Sequence, residues 1–360
     1  MLKSQYFVSK GIFEIENECH KVLVDAFKGF NEEIQNLTEI EVDYQETNKK
    51  IVQIVFYQGG DWKMLANSLG IKCANSKYPC VWCKCPKEEF WNLNKEYSIY
   101  DRKLGARSHE EQLAILQHPD QDKIQTYGYS KTPIFKDIIP ISRYIIDMLH
   151  LFLRITDTLF NLLIKDCCLA DNFDMNNISK FDLSKYKHMN SLQHYLNEKC
   201  NVHFKFLWTY DNKKLTWRDL VGPEKIRFID NLDLKQIFPD HEKFDSLSKI
   251  WSEFWDILKL VKTVEIESFE LKKRTHKWLE LFLTVYSKAT ITPYMHAFVY
   301  HLHEFVFLFK DVNAFNCQGL EKLNDMTTGQ YFKGTNKKSS SLHQLLSKRI
   351  RIEYLSWMID

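Results

Sequence analysis

A helix-rich α+β fold is predicted by two patterns: long stretches with apolar residues at helical spacing, and a few short β-branched runs that stop at turn residues. From Glu18 to Leu37, Val22, Leu23, Ala26, Phe27, Phe30 and Ile34 recur every few positions, which predicts an amphipathic helix. Lys49 to Tyr57 (KKIVQIVFY) is a short apolar run that ends at Gly59-Gly60, the pattern of a buried strand closed by a turn. Asp61 follows directly, where α/β proteins expose polar groups at the carboxyl edge of a sheet. A helix is predicted over Trp62 to Leu69, with Gly70 as its stop.

Lys72 to Pro86 (KCANSKYPCVWCKCP) is compact, cysteine-rich and closed by prolines, and reads as a knuckle. Pro133 to Ile146 reads as extended chain and Asp147 to Lys165 as a helix. The stretch from about 170 to 290 is mainly helical in pattern, with one hairpin at Phe206 to Trp217 turning at Asp211-Asn212. Lys337 to Ser341 (KKSSS) reads as a flexible joint. The chain shows no internal repeat.

Composition narrows the class. A chain of 360 residues, 44% hydrophobic and 27% charged, has the balance of a soluble globular protein with ample core. The N-terminus lacks the apolar segment and cleavage pattern of a secretory signal, so an intracellular location is expected. The most apolar stretch, Ile138 to Ile164, is interrupted by Arg143, Asp147, Arg154 and Asp157, which argues against a membrane span. Nine cysteines in a reducing compartment are expected to bind metal or to be buried rather than to form disulfides. The net charge of +2 hides an uneven distribution: Lys333, Lys337, Lys338, Lys348, Arg349 and Arg351 fall in a stretch without an acid. Such a segment is either a phosphate-binding surface or an ordinary solvated helix face.

Cys80 and Cys83 stand in a Cys-x-x-Cys, the spacing that places two thiolates on one turn as half of a tetrahedral zinc site. The same spacing serves redox pairs, but no thioredoxin-like pattern surrounds it. Cys85, two residues on, is a competing ligand or a buried thiol. The other half must come from elsewhere, and the densest cluster is His296, His301 and His303. His296 and His301 have the separation of paired imidazoles on or near one helical turn. Phosphoryl transfer with two metal ions needs acids that converge from separate elements. Asp61 at a strand end and Glu321 on a distant helix are candidates, although either alone also reads as a surface acid.

The order and spacing of these residues resemble the catalytic subunit of the V(D)J recombinase and the Transib-type DDE transposases. Gly59-Gly60-Asp61 precedes Cys80 by nineteen residues, Tyr294-Met295-His296 leads to His301, and Glu321 lies twenty beyond it. Weaker similarity runs through Arg107-Ser-His-Glu110, through Pro133 to Pro140, and through Ile146-Asp-Met-Leu-His150. The resemblance implies an incomplete RNase H-like core, interrupted by a large helical insertion, with a Cys2His2 zinc site tying the insertion to the core. It divides the chain into a partial core at 1–165 with the knuckle at 72–86, a helical insertion at 166–290, and a segment 291–360. That last segment carries the histidine pair, the glutamate helix and the basic tail. Cys80, Cys83, His296 and His301 are then the ligands of a structural Zn²⁺. Asp61 and Glu321 are catalytic ligands of Mg²⁺ or Mn²⁺.

The resemblance further implies a nuclear location, duplex DNA as partner through the six basic residues of the tail, and dimeric action. The family's first catalytic aspartate, on an upstream strand, has no counterpart here, since Asp25 and Asp43 stand in other contexts. The expected function is therefore a transposase-derived, zinc-stabilised DNA-binding protein, a fragment or domesticated remnant with impaired catalysis. Two other readings stay open: an active transposase subunit that receives its first aspartate from another segment or chain, and a non-catalytic protein-interaction module.

Overall fold

The computed structural model describes residues 17–44, 48–174, 181–209, 211, 213–238, 244–338 and 340–357. Helix α1 (His20–Gln35) forms where the apolar spacing predicts it. It buries Leu23 and Ile34, and Phe27 meets Phe135 edge-on at 5.2 Å.

The run Lys49 to Tyr57 departs from expectation. Strand β1 (Glu39–Tyr44) pairs antiparallel with β2 (Asn48–Gln53), Ile40 opposite Val52 and Glu41 opposite Ile51. This hairpin is not a buried strand, since Ile51 is 62% exposed and Val52 38%. Lys49, Lys50 and Gln53 interrupt the apolar run, and Lys49 pairs with Glu41 across the ladder at 2.6 Å. The run therefore satisfies its backbone within a local hairpin. The residue just after the run enters a parallel pairing: Gln58 N–H donates to the Arg143 carbonyl at 3.0 Å, and Ile145 N–H donates to the Gln58 carbonyl at 2.9 Å.

Helix α2 (Trp62–Leu69) begins and ends as predicted. Gly70 closes it at φ 70°, a left-handed conformation that favours glycine. A Cβ there would also lie 2.3 Å from the Lys131 carbonyl oxygen, because the Ser130 and Lys131 amides both bond the Gly70 carbonyl. This contact docks the end of α2 onto the loop that leads away from the knuckle.

After α3 (His109–Gln117), helix α4 (Met148–Ala170) is the central rod. Asp147 caps it, and Leu151, Ile155, Leu159, Leu163 and Cys167 form its buried stripe. Helix α5 (Lys187–Glu198), strands β3 (Phe206–Thr209) and β4 (Lys214–Trp217), and α6 (Gly222–Asp230) follow. The predicted hairpin is thus present, although positions 210 and 212 of its turn lie outside the described residues. Helices α7 (Phe244–Thr263) and α8 (Ser268–Val285) pack on each other, and α8 packs on α9 (Pro293–Tyr300) and α10 (Leu302–Phe309). Trp278 and Phe254 close on Phe298 at 5.1 and 5.5 Å.

One contiguous buried core runs from Ile34 to Val312. Helices α11 (Gln318–Gly334) and α12 (Ser341–Trp357) form a hairpin after it. The KKSSS joint between them includes a hydrogen-bonded turn, in which Ser341 N–H and Oγ both donate to the Lys338 carbonyl at 2.9 and 2.6 Å. Among the described residues no helix is long and apolar enough to cross a membrane. The Asp157 that interrupts the apolar stretch pairs with buried Lys225 at 2.6 Å. The architecture is helix-rich α+β, and among the described residues its sheets are two small antiparallel hairpins.

Candidate metal centre and carboxylate pocket

Cys80, Cys83, His296 and His301 converge as a fully buried tetrad whose ligand atoms all lie within 4.8 Å of one another. Cys83 Sγ is 3.3 Å from His296 Nε2, and Cys80 Sγ is 3.4 Å from His301 Nε2. An ion bound tetrahedrally by thiolate and imidazole, at roughly 2.3 and 2.1 Å, sets sulfur and nitrogen about 3.6 Å apart. The tetrad therefore can hold a metal ion with little rearrangement.

Each half is positioned by its own local structure. In the knuckle, Arg107 is buried and donates to three carbonyls: Nε to Cys80 at 2.9 Å, Nη1 to Tyr127 at 2.9 Å and Nη2 to Tyr78 at 3.0 Å. Its own N–H bonds the Trp82 carbonyl at 2.9 Å. One guanidinium thus fixes the loop that carries both cysteines. Trp82, between them, is buried and donates from Nε1 to the Tyr144 carbonyl at 2.6 Å, next to the chain that pairs with Gln58. On the other side, Thr292 caps α9 and Pro293 opens it, so His296 sits on the helix and His301 at the joint with α10.

The imidazoles are held from behind. His301 Nδ1 stands 3.2 Å from Glu304 Oε2, and Glu304 in turn accepts from Ser98 Oγ at 2.5 Å and Ile99 N–H at 3.0 Å. A carboxylate behind a ligating imidazole fixes its tautomer and raises its basicity. His296 is clamped between the Phe90 and Tyr300 rings at 4.1 and 4.8 Å. Burial pushes the Cys80 thiol up, but the hydrogen bond from Cys83 and the charge of His301 outweigh it and hold Cys80 well below the usual thiol range. Burial, together with its hydrogen bond to Cys80, drives Cys83 well above that range. Cys85 stays outside the tetrad, its Sγ turned to the Pro86 carbonyl, and burial drives its thiol upward. His303 is likewise outside, and burial lowers its pKa to about 3.

The two candidate catalytic carboxylates differ in their relation to His150: Glu321 lies within ion-pair distance of its imidazole, and Asp61 acts on it through charge alone. Asp61 caps α2, accepting from Met64 N–H at 2.8 Å, and the next amide, Trp62 N–H, donates to the Tyr294 hydroxyl at 3.1 Å. That bond ties the end of the Gly59-Gly60 turn to the histidine-bearing helix α9. Glu321, in the first turn of α11, has Oε1 3.8 Å from His150 Nε2. His150 is raised above the ordinary imidazole pKa, first by its hydrogen bond to Asp147 and further by the charges of Asp147, Asp61 and Glu321. Asp147 itself is buried, and its oxygens accept from the Leu149, His150 and Cys317 amides and meet His150 Nδ1. Its hydrogen-bonding capacity is thus taken up by the protein.

The six basic tail residues share the α11–α12 hairpin. Lys333 stands in the last turn of α11, Lys337 and Lys338 lie in the turn, and Lys348, Arg349 and Arg351 stand on α12. Phe332, Ile350, Ile352 and Leu355 are exposed among them.

Sequence reasoning missed Arg107, Asp147, His150 and Glu304 as site residues. Arg107, Asp147 and His150 lie in the weakly similar stretches noted above, and Glu304 stands three residues after His301, the spacing at which helical neighbours meet. Comparison with known protein families matches none, and comparison with curated proteins gives no significant match.

Proposed function

We propose that this chain is a transposase-derived, zinc-stabilised DNA-binding protein with impaired catalysis. The observation that carries the reading is the convergence of Cys80 and Cys83 with His296 and His301, separated by more than two hundred positions, into one buried ligand set. A Cys2His2 set with no open position is the donor chemistry of a structural Zn²⁺ rather than of a catalytic one. The approach of Glu321 to His150, with the charge of Asp61 felt at the same imidazole, supports the resemblance to V(D)J-type recombinases and Transib-type transposases, whose core is RNase H-like.

In that reading Asp61 and Glu321 are the ligands for Mg²⁺ or Mn²⁺, which would activate water and then a 3′-hydroxyl against phosphodiesters. Asp147 is no substitute for a third carboxylate, because its oxygens are already hydrogen-bonded. The chain then binds duplex DNA and cuts it poorly or not at all, acting in the nucleus, alone or as a homodimer.

The test is metal analysis of the purified protein combined with DNA-binding titration. One zinc per chain and salt-sensitive duplex binding support the reading. A metal-free, stably folded protein that ignores duplex DNA overturns it.

A further inference from the structure

A cavity of about 500 Å³ opens beside the knuckle, and Lys77, Lys87 and Lys288 line it with Asn75, Ser76 and Glu88. The three lysines come from three separate places. Lys77 precedes Cys80 by three residues, Lys87 follows Cys83 by four, and Lys288 precedes His296 by eight. The Lys87 amide donates to the Lys77 carbonyl at 2.8 Å, which fixes the first two side by side. Lys288 stands over the Trp91 ring with its ammonium 4.6 Å from the centroid.

Charge in this groove is unbalanced. Among the described residues, the only ion pair made by the three lysines is Lys77 with Glu88 at 3.9 Å, with both side chains more than 60% exposed. An exposed pair of that length contributes little and does not neutralise the groove. Lys87 and Lys288 are exposed, and among the described residues neither has an ion-pair partner. Exposed, uncompensated ammonium groups beside polar Asn75 and Ser76 match the requirements of a phosphate chain: positive charge with hydrogen-bond donors, and no base-reading geometry.

We infer that this groove is a second contact surface for the phosphodiester backbone of duplex DNA, separate from the α11–α12 tail. The assignment rests on the DNA-binding reading above. Two walls of the groove belong to the two halves of the Cys2His2 tetrad, so a bound metal ion would also hold the groove's shape.

The experiment measures binding of a fluorescent 20-base-pair duplex across a salt series. It compares the zinc-loaded full chain, a Lys77→Ala/Lys87→Ala/Lys288→Ala variant, and a variant with the six tail residues changed to Ala. Zinc content and far-ultraviolet circular dichroism verify that each variant is folded. Loss of three phosphate contacts should lower the log–log salt slope by about 2 to 3 relative to the parent chain. The tail variant should retain that residual slope, and acetylation of Lys87 and Lys288 should be suppressed by bound duplex.

A folded triple variant with the parent's slope and affinity overturns the groove while leaving DNA binding intact. A parent chain that binds no duplex overturns both readings. Weakened binding to phosphatidylserine vesicles with unchanged DNA binding would reassign the groove to a lipid surface and overturn the nucleic-acid assignment.

Discussion

His150 links two acids of different standing: its Nδ1 meets the buried carboxylate of Asp147, and its Nε2 faces Glu321 Oε1 at 3.8 Å. Asp147 also receives the Cys317 amide at 2.9 Å, so the start of α11 is tied to the start of α4 through one carboxylate. The position of Glu321 therefore depends on a pair that never needs to touch a substrate.

That pair makes stability pH-dependent. His150 is raised above its ordinary value of 6.5, mainly by its hydrogen bond to Asp147, so its contribution is complete below that value and is lost as pH rises through the folded pKa. Burial pushes Asp147 up, but the hydrogen bonds from His150 and the Cys317 amide outweigh it, so its contribution is present above the ordinary 3.8 and is lost as pH falls. Thermal unfolding measured from pH 6 to pH 9 should show Tm declining with pH, and His150→Gln should flatten that decline. An unchanged profile in the variant would show that another group sets it.

Removal of Asp147 should cost more than a surface cap. Asp147→Ala leaves a helix terminus, the Cys317 amide and a buried imidazole without their acceptor, a loss of roughly 2 to 4 kcal/mol by denaturant titration. A loss under about 1 kcal/mol would mean that water replaces the carboxylate.

Zinc should copurify at one ion per chain. Isolated zinc peptides gain roughly 10 kcal/mol or more from the metal, less where a large core already exists. Cys80→Ser with Cys83→Ser should abolish stoichiometric metal and lower Tm by more than about 5 °C. Metal retained in this double variant would place the ion elsewhere.

Arg107→Met should loosen the knuckle without removing a ligand. Three carbonyls lose a charged donor, so chelators should strip the metal at least about tenfold faster than from the parent chain. Equal stripping rates would limit Arg107 to packing.

Neither Mg²⁺ nor Mn²⁺ should support nicking of supercoiled DNA by this chain alone, because two carboxylates do not complete a two-metal clamp. Supplying a segment with a further aspartate should recover cleavage, and Asp61→Ala or Glu321→Ala should then remove it. Robust cleavage by the present chain that is lost in Glu321→Ala would reveal another acid in the third place.

The candidate ligand set was legible because zinc accepts few side chains at few spacings, so Cys80-x-x-Cys83 and the His296/His301 pair carry their meaning locally. Helix α2 and its glycine stop were legible for the same reason, since Asp61 and Gly70 act through the backbone next to them. The exposure of Ile51 was not legible, because an apolar run says that a strand forms but not what covers it. Asp147 and His150 were hidden differently: an aspartate three residues before a histidine at a helix start reads as a cap. What gives the pair its place beside Glu321 is the Cys317 amide, 170 positions away.

An ion in the Cys2His2 tetrad would also govern when the protein can finish folding. Cys83 and His296 are 213 positions apart, so any ion held between them closes most of the chain into one loop. A covalent link across such a loop would remove about 5 kcal/mol of unfolded-chain entropy. During synthesis the cysteine half is made first and waits while more than two hundred further residues are added. Only when α9 and α10 have emerged does the second half exist, so capture of an ion by all four ligands would be a late, chain-wide event. A nascent chain truncated before His296 should bind zinc weakly through two thiolates alone, and its knuckle should remain open to proteases until the last fifth of the sequence arrives.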